Sequence, residues 1–271
     1  MSELVDVVVW GSAGRMGQAV IRAVLHSKRA RLASALVRPG SGLADEPLDR
    51  VFGSLPRNVD FETSLDPDTP CDVLVDFSGP VVFDAALALA VERRIGFVSG
   101  TTGLKDEQRA AMERAAQTIP VLWSSNFSLG VAMLFRTARR IAGALPGWDA
   151  EIVEIHHNRK EDSPSGTAVA LGHAIADGRK QAFGDHAVFE RHGHVGARKH
   201  GEIGFSTMRG GDIVGEHTIV FATEGERLEI THRAGSRDIF AKGALEAAVW
   251  LARREPGIYT FDQVLAPTDP V

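Results

Sequence analysis

Apolar and polar positions along the chain fall into two regimes. From Val5 to Trp10 the residues are apolar and valine-rich apart from Asp6, the pattern of a strand buried on both faces of a parallel sheet. Gly11-Ser-Ala-Gly14-Arg-Met-Gly17 follows at once and gives way to helical spacing. Arg31 to Val37, Val73 to Phe77, Gly96 to Ser99 and Val121 to Trp123 read as further short strands, with helical patterns over Val81 to Arg94 and Asp106 to Gln117. This alternation predicts an α/β fold, a Rossmann-type doubly wound parallel sheet, over residues 1–126.

After Asn126 the pattern changes. A helix is expected from Leu129 to Ala144, a strand from Ala150 to His157, then a charged turn and a helix that begins near Ser163 and runs through Ser165 to Ala176. Three strand candidates come close together, at Ile203 to Met208, Ile213 to Phe221 and Arg227 to His232, the last two joined by the turn sequence Thr223-Glu-Gly-Glu226. Consecutive strands predict a second α+β domain on a mixed or antiparallel sheet. The last helix, Asp238 to Arg253, is expected to return to the first domain, giving a division into 1–126 with 237–271, and 127–236.

Composition narrows the class. The chain has 271 residues, 44% apolar and 24% charged, with a net charge of −5. That is ordinary for a globular protein and lacks the basic surplus of a nucleic-acid partner. The lone Cys71 allows no internal disulfide and no thiolate zinc cluster, which fits a reducing, cytoplasmic setting. No apolar run approaches the roughly 18 residues that span a bilayer, and Met1 to Trp10 lacks the basic start and cleavage region of a signal peptide. No membrane partner is expected.

The glycine turn is the first candidate site. Gly11 permits a sharp exit from the strand, Gly14 lets the backbone approach a pyrophosphate, and Gly17 brings helix and strand together. The new helix then aims free N–H groups at phosphate, so Gly11, Ser12, Gly14, Arg15, Met16 and Gly17 are candidate dinucleotide ligands. Where NAD enzymes carry an acidic ribose ligand, this chain has Val37 followed by Arg38. Valine cannot accept those hydrogen bonds, whereas Arg38, with Arg15, can pair with a 2′-phosphate. The expected cofactor is NADPH, with NADH as the alternative.

The second candidate is Glu154-Ile-His-His-Asn-Arg-Lys-Glu-Asp-Ser-Pro-Ser-Gly-Thr167. His156 and His157 are neighbours at a strand end, so while the strand lasts they face opposite sides. Lys160 offers a mobile charge for a carboxylate and a proton to give. Ser163 has the character of a helix cap with Pro164 at the first helical position, which would leave the amides of Ser165, Gly166 and Thr167 to bind an anion. The histidines between Arg191 and His200 have no acidic or thiol partner at matching spacing, so no metal is expected.

With these motifs together, the chain resembles the dihydrodipicolinate reductases, also called 4-hydroxy-tetrahydrodipicolinate reductases, of the diaminopimelate route to lysine. The resemblance runs through Gly11 to Gly17, Val75-Asp-Phe-Ser78, Gly100-Thr-Thr-Gly103, Ser125-Asn-Phe-Ser128, His156-His157-x-x-Lys160, Ser165-Gly-Thr167, Gly211-Asp-Ile-Val-Gly-Glu-His217 and Arg227-Leu-Glu-Ile-Thr-His232. It implies a homotetramer whose N-terminal domain holds the nicotinamide cofactor and whose C-terminal domain holds a cyclic dicarboxylate and the subunit contacts. By the same resemblance, Gly100, Thr101, Thr102, Ser125, Asn126 and Phe127 line the cofactor, with Asn126 to Ser128 near an interdomain hinge. His157, Lys160, Gly166 and Thr167 match the family's substrate-binding positions, to which the helix-start reading adds the Ser165 amide, and His156 and Lys160 match its proposed catalytic proton donors.

The implied chemistry suits these residues. Hydride adds to a conjugated imine and the resulting enamine takes a proton. His156, with an ordinary pKa of about 6.5, and Lys160 both remain as the source of that proton. The rivals are an amino acid or imine dehydrogenase on the same scaffold and a nucleotide sensor without turnover.

Overall fold

The computed structural model describes residues 4–53 and 59–265; the outer ends of the expected first domain, 1–3 and 266–271, lie outside the described residues. The chain opens with β1 (Val5–Trp10), α1 (Arg15–Leu25), β2 (Ala30–Leu36), the short α2 (Asp49–Phe52), β3 (Phe61–Glu62), β4 (Val73–Asp76), α3 (Phe83–Arg93), β5 (Gly96–Ser99), α4 (Asp106–Ala115) and β6 (Pro120–Trp123). Val7, Val8 and Val9 have no exposed surface, as the unbroken valine run predicts for a strand covered on both faces. Helix α3 starts at Phe83, two residues later than expected from Val81, which is 93% exposed.

The middle of the chain contributes α5 (Leu129–Ala144), β7 (Asp149–His156), α6 (Gly166–Arg179), α7 (Phe183–His186), β8 (Ala187–Val188), β9 (Ile203–Arg209), β10 (Gly215–Thr223) and β11 (Glu226–Ala234). These form a mixed five-stranded sheet in the order β11, β10, β7, β9, β8. The turn Glu224-Gly225 closes the β10/β11 hairpin, with Thr223 opposite Glu226 and Gly225 at φ 85°, a conformation glycine adopts without strain. One expectation needs refining: β9 and β10 follow each other in sequence but are not neighbours. Strand β7 lies between them, antiparallel to β10 and parallel to β9. Its alternating pattern buries Ala150, Ile152, Glu154 and His156 on one face, and α5 and α6 share the core there through Leu134, Ala138, Leu171 and Ile175.

Finally α8 (Asp238–Leu251), β12 (Gly257–Tyr259) and a single 3-10 turn (Phe261–Val264) rejoin the first unit. Its seven strands run β12, β6, β5, β4, β1, β2, β3, and every pairing is parallel. The strand order reverses at β1, where the first crossover goes one way and the second the other. By compactness the chain divides into Met1–Ser128 with Asp238–Val271, and Leu129–Arg237. Among the described residues no helix is long and apolar enough to cross a membrane.

Candidate functional site

In the first unit, the glycine turn sits at the carboxyl end of β1. The amides of Gly11 and Ser12 both donate to the Leu36 carbonyl, at 3.1 and 3.0 Å, locking the turn to the end of β2. Gly11 has φ 80°. A Cβ on Gly17 would come within 2.9 Å of the Gly11 carbonyl carbon, so only glycine permits that approach. Gly14 caps α1 without a side chain, and no acidic residue occupies the first turn. The amides of Arg15, Met16 and Gly17 therefore head a helix whose start is backbone alone, a cradle that fits a pyrophosphate. Arg15 and Arg38 are exposed, and no ion pair engages either among the described residues.

Several expected cofactor ligands turn out to be committed internally. The Ser12 hydroxyl donates to the Val9 carbonyl at 2.8 Å, and its amide is the one bonded to Leu36, so Ser12 shapes the turn. Thr101 donates its hydroxyl to Asp76 at 2.8 Å and its amide to Ser99 Oγ at 3.1 Å. The Phe127 ring is 1% exposed and packs edge-on against Phe77 and Phe261, which leaves only its backbone for a ligand. A Cβ on Gly100 would lie 2.6 Å from Phe77 Cδ1. Thr102 and Ser125 are exposed, while Asn126 accepts the Ser128 amide at 2.8 Å.

Asp76, in the Val75-Asp-Phe-Ser78 motif, takes a role that its sequence context does not reveal. Fully buried at the end of β4, it accepts from the Ser78 amide and hydroxyl and from the hydroxyls of Ser99 and Thr101, at 2.5 to 2.9 Å. It thus ties together the two loops that follow β4 and β5 at the carboxyl ends of the strands, where open α/β sheets bind ligands.

In the second unit, the hub is Glu154. It is 1% exposed, and its carboxylate accepts five hydrogen bonds. Arg209 donates two, each 2.8 Å; His156 Nδ1 lies at 2.5 Å, the Ser165 amide at 3.0 Å and the Thr207 hydroxyl at 3.3 Å. Burial pushes the Glu154 carboxyl up, but the bonds from Arg209, His156 and Ser165 outweigh it and hold it below its ordinary value. Burial lowers His156 and the Lys160 and Arg209 charges add to this, against the raising pull of Glu154, for a net value below the usual imidazole range.

The helix start differs from expectation. Ser165, not Ser163, caps α6, its hydroxyl accepting the Ala168 amide at 3.1 Å. Pro164 precedes the helix after a cis Ser163-Pro164 bond. The Ser165 amide is held by Glu154 and is not available to an anion; Gly166 and Thr167 are the first two helical residues. The cause lies eleven residues away, out of reach of local spacing rules: a buried carboxylate seats Ser165 against the sheet.

Lys160 donates to both oxygens of Asp162, at 2.8 and 3.0 Å. Its turn lies along the β9 exit, with the Asn158 amide donating to the Gly211 carbonyl and Arg209 to the Asp162 carbonyl. His157 follows the end of β7, and its Nδ1 is buried without a partner among the described residues. Sequence reasoning also missed His217, which is 4% exposed. Its Nε2 meets Ser165 Oγ at 3.0 Å, its ring stands edge-on to His156, and its Nδ1 is buried without a partner among the described residues. Burial, with the nearby His156, lowers it to about 4. The only signal available was membership in the Gly211 to His217 motif. Gly215 in that motif makes room for the site: a Cβ there would stand 2.9 Å from His156 Nε2.

Arg191 and Arg198 explain the charged loop that raised a metal question. They pair with Glu151, Glu202 and Asp149, pinning the loop to the start of β7.

Comparison with known proteins adds independent findings. The family model described as dihydrodipicolinate reductase, N-terminus, matches residues 5–127, and the one described as dihydrodipicolinate reductase, C-terminus, matches 130–265. The chain is 42% identical over 261 residues to the 4-hydroxy-tetrahydrodipicolinate reductase of Pseudoalteromonas atlantica, covering 96% of this chain and 98% of that protein. It is 44% identical over 264 residues to that of Syntrophotalea carbinolica, covering 97% and 99%. In fold it is similar to a dipicolinate-bound dihydrodipicolinate reductase from Paenisporosarcina sp. TG-14, with a TM-score of 0.75 at 22% identity, covering 97% of this chain and 100% of that one.

Proposed function

The chain belongs to the dihydrodipicolinate reductase family, and we propose that it reduces 4-hydroxy-tetrahydrodipicolinate, which loses its 4-hydroxyl as water to give the conjugated imine, to tetrahydrodipicolinate with a nicotinamide cofactor, NADPH in preference to NADH. The observation that carries this reading is the meeting of His156, the Lys160 turn and the head of α6 around one buried carboxylate. Two substrate carboxylates need fixed donors, and Lys160, His157, Gly166 and Thr167 supply them in this reading.

The cradle of Gly11, Gly14 and Gly17 with the amides of Arg15 and Met16 would hold the pyrophosphate, and Gly100, Thr102 and the backbone of Ser125 to Phe127 would border the nicotinamide. Bound there, the cofactor supplies the hydride. Arg38 and Arg15, exposed and outside any ion pair among the described residues, favour the 2′-phosphate of NADPH. Arg38→Ala is expected to weaken NADPH binding about tenfold and leave NADH nearly unchanged, a difference of roughly one charge-assisted hydrogen bond. Equal losses for both cofactors would refute the role.

His156 is the proposed proton donor. Its Nδ1 faces Glu154, so Nε2 is the nitrogen that takes a proton from water and passes it to the enamine carbon. Negative charge on the bound substrate offsets the Lys160 and Arg209 charges that lower His156, and so protonates it when the proton is needed. Turnover should be confined to the cyclic dicarboxylate among imines and amino acids offered with NADPH, and comparable rates on simple imines would overturn the substrate. His156→Gln should lower kcat about 10²- to 10⁴-fold, the range of general acid catalysis.

A cytoplasmic homotetramer completes the proposal. The sheet face opposite α5 and α6 presents Val153, Ile155, Met208, Thr218 and Val220, with Met208 56% exposed, an apolar patch suited to another subunit.

A further inference from the structure

We propose that Glu154 is a positioning residue for the proton transfer: its carboxylate, clamped by Arg209, decides which nitrogen of His156 carries the ring hydrogen and ties His156 to the head of α6 and to the Lys160 turn. The inference rests on the reading of His156 as proton donor and adds to it the residues that make the imidazole competent.

The geometry supports it atom by atom. Oε2 of Glu154 receives His156 Nδ1 at 2.5 Å and Arg209 Nη1 at 2.8 Å. Oε1 receives Arg209 Nη2 at 2.8 Å, the Ser165 amide at 3.0 Å and the Thr207 hydroxyl at 3.3 Å. An ionised carboxylate only accepts, so the Nδ1 of His156 must be the donor and the lone pair of the neutral ring is on Nε2. Nε2 is then the atom that gains and releases a proton, while the carboxylate behind Nδ1 stabilises the imidazolium as it forms, the division of labour known from His–carboxylate pairs in other enzymes.

Arg209 gives the arrangement its reach. Besides the two bonds to Glu154 it donates to the Asp162 carbonyl at 2.8 Å, so one guanidinium joins the carboxylate to the turn that carries Lys160. Stability alone is a poor reason for this group, because a buried ion pair is often no better than apolar packing of the same volume. The charged and titratable groups facing His156 come from each neighbouring element: Glu154 on its own strand, Arg209 on β9, His217 on β10 and Lys160 in the turn. Glu154 draws the ring toward its charged form, and Arg209 and Lys160 oppose it.

Opposite signs make the test decisive. His156 would be followed by nitrogen-15 NMR in the full-length, unliganded protein, giving both tautomer and titration. Glu154→Gln should lower the His156 titration further, because a raising charge is removed, and the amide can present its NH2 to Nδ1 and reverse the tautomer. Arg209→Met should move the titration up, because an opposing charge is removed. In turnover, Glu154→Gln should lower kcat at least about tenfold while KM stays within about threefold, the split expected when a group acts mainly in the transition state. Glu154→Asp, which keeps the carboxylate, should recover part of the rate and of the titration.

Should Glu154→Gln not fold, the Asp variant carries the test, with an intermediate titration and rate expected. A shift of the same sign in the Glu154 and Arg209 variants, or an unchanged tautomer and kcat in Glu154→Gln, overturns the proposal. In Glu154→Asp, a titration and rate identical to the unsubstituted protein would do the same. Failure of the donor assignment looks different: His156→Gln would keep its rate, while the NMR measurement still judges the hold of Glu154 on the ring.

Discussion

At the scale of single residues, Lys160 is held back by a carboxylate of its own chain. Its ammonium bonds both oxygens of Asp162, which is 61% exposed in its side chain, so in the proposed site a substrate carboxylate has to compete with it. An exposed ion pair of this kind contributes about 0.2–1 kcal/mol. Asp162→Asn should therefore lower KM by up to about fivefold, measured by steady-state kinetics at fixed cofactor. A rise in KM would instead mean that Asp162 aims the lysine. Lys160 itself was legible in the sequence because a basic residue in a polar turn beside two histidines stands out locally. Glu154, Arg209 and His217 were not, since a buried charge on a strand looks the same in sequence whether or not a partner awaits it.

Among the elements, the two helix starts make different demands of their glycines. At α1, Gly17 has no room: a Cβ would press into the Gly11 carbonyl. Gly17→Ala should cost about 1–3 kcal/mol, the usual range for overpacking, and abolish cofactor binding. At α6, Gly166 is exposed and a Cβ would meet nothing within 4 Å. Gly166→Ala should therefore change stability by less than about 0.5 kcal/mol yet raise KM, because the added methyl stands where a substrate carboxylate would approach the helix amides. Thermal melts with titration calorimetry separate the cases, and an unchanged KM in Gly166→Ala would remove that residue from the site. Long elements such as α5 were readable to the residue, since their periodicity is local. Two-residue strands β3 and β8 carry no period to read, and β12 is barely longer. The α6 cap was misplaced because a distant carboxylate chose between two serines.

For the whole molecule, buried histidines set the response to acid. His217 titrates near 4 when folded against 6.5 ordinarily, and His156 is also lowered. A depressed folded value means the unfolded chain binds protons first, so stability is complete above about pH 6.5 and declines as pH falls toward 4. For His217 the loss is about 2 kcal/mol by pH 5 and about 3 kcal/mol below pH 4. Below pH 4.5 the lowered Glu154 adds to the loss in the same direction. Urea melts between pH 7.5 and pH 5 would show it, and a flat profile would contradict the burial of His217. The proposed assembly has its own test: Val220→Glu on the open sheet face should shift sedimentation from the proposed tetramer to smaller species, and sedimentation unchanged by the substitution would refute that face as the interface.

Taken by itself, the sequence determined what depends on neighbours along the chain: the valine strand and glycine turn, the alternation behind five of the seven strands of the parallel sheet, the hairpin at Gly225, and the cluster from His156 to Thr167. Only the tertiary structure decided which groups complete that cluster. Arg209 reaches Glu154 across 55 residues and His217 reaches Ser165 across 52, brought together because β9 and β10 flank β7 instead of each other. The physical reason is that periodicity and capping are local properties of the backbone, while the burial of a charge, and hence the choice of its partners, is settled only when strands distant in sequence pair and exclude water.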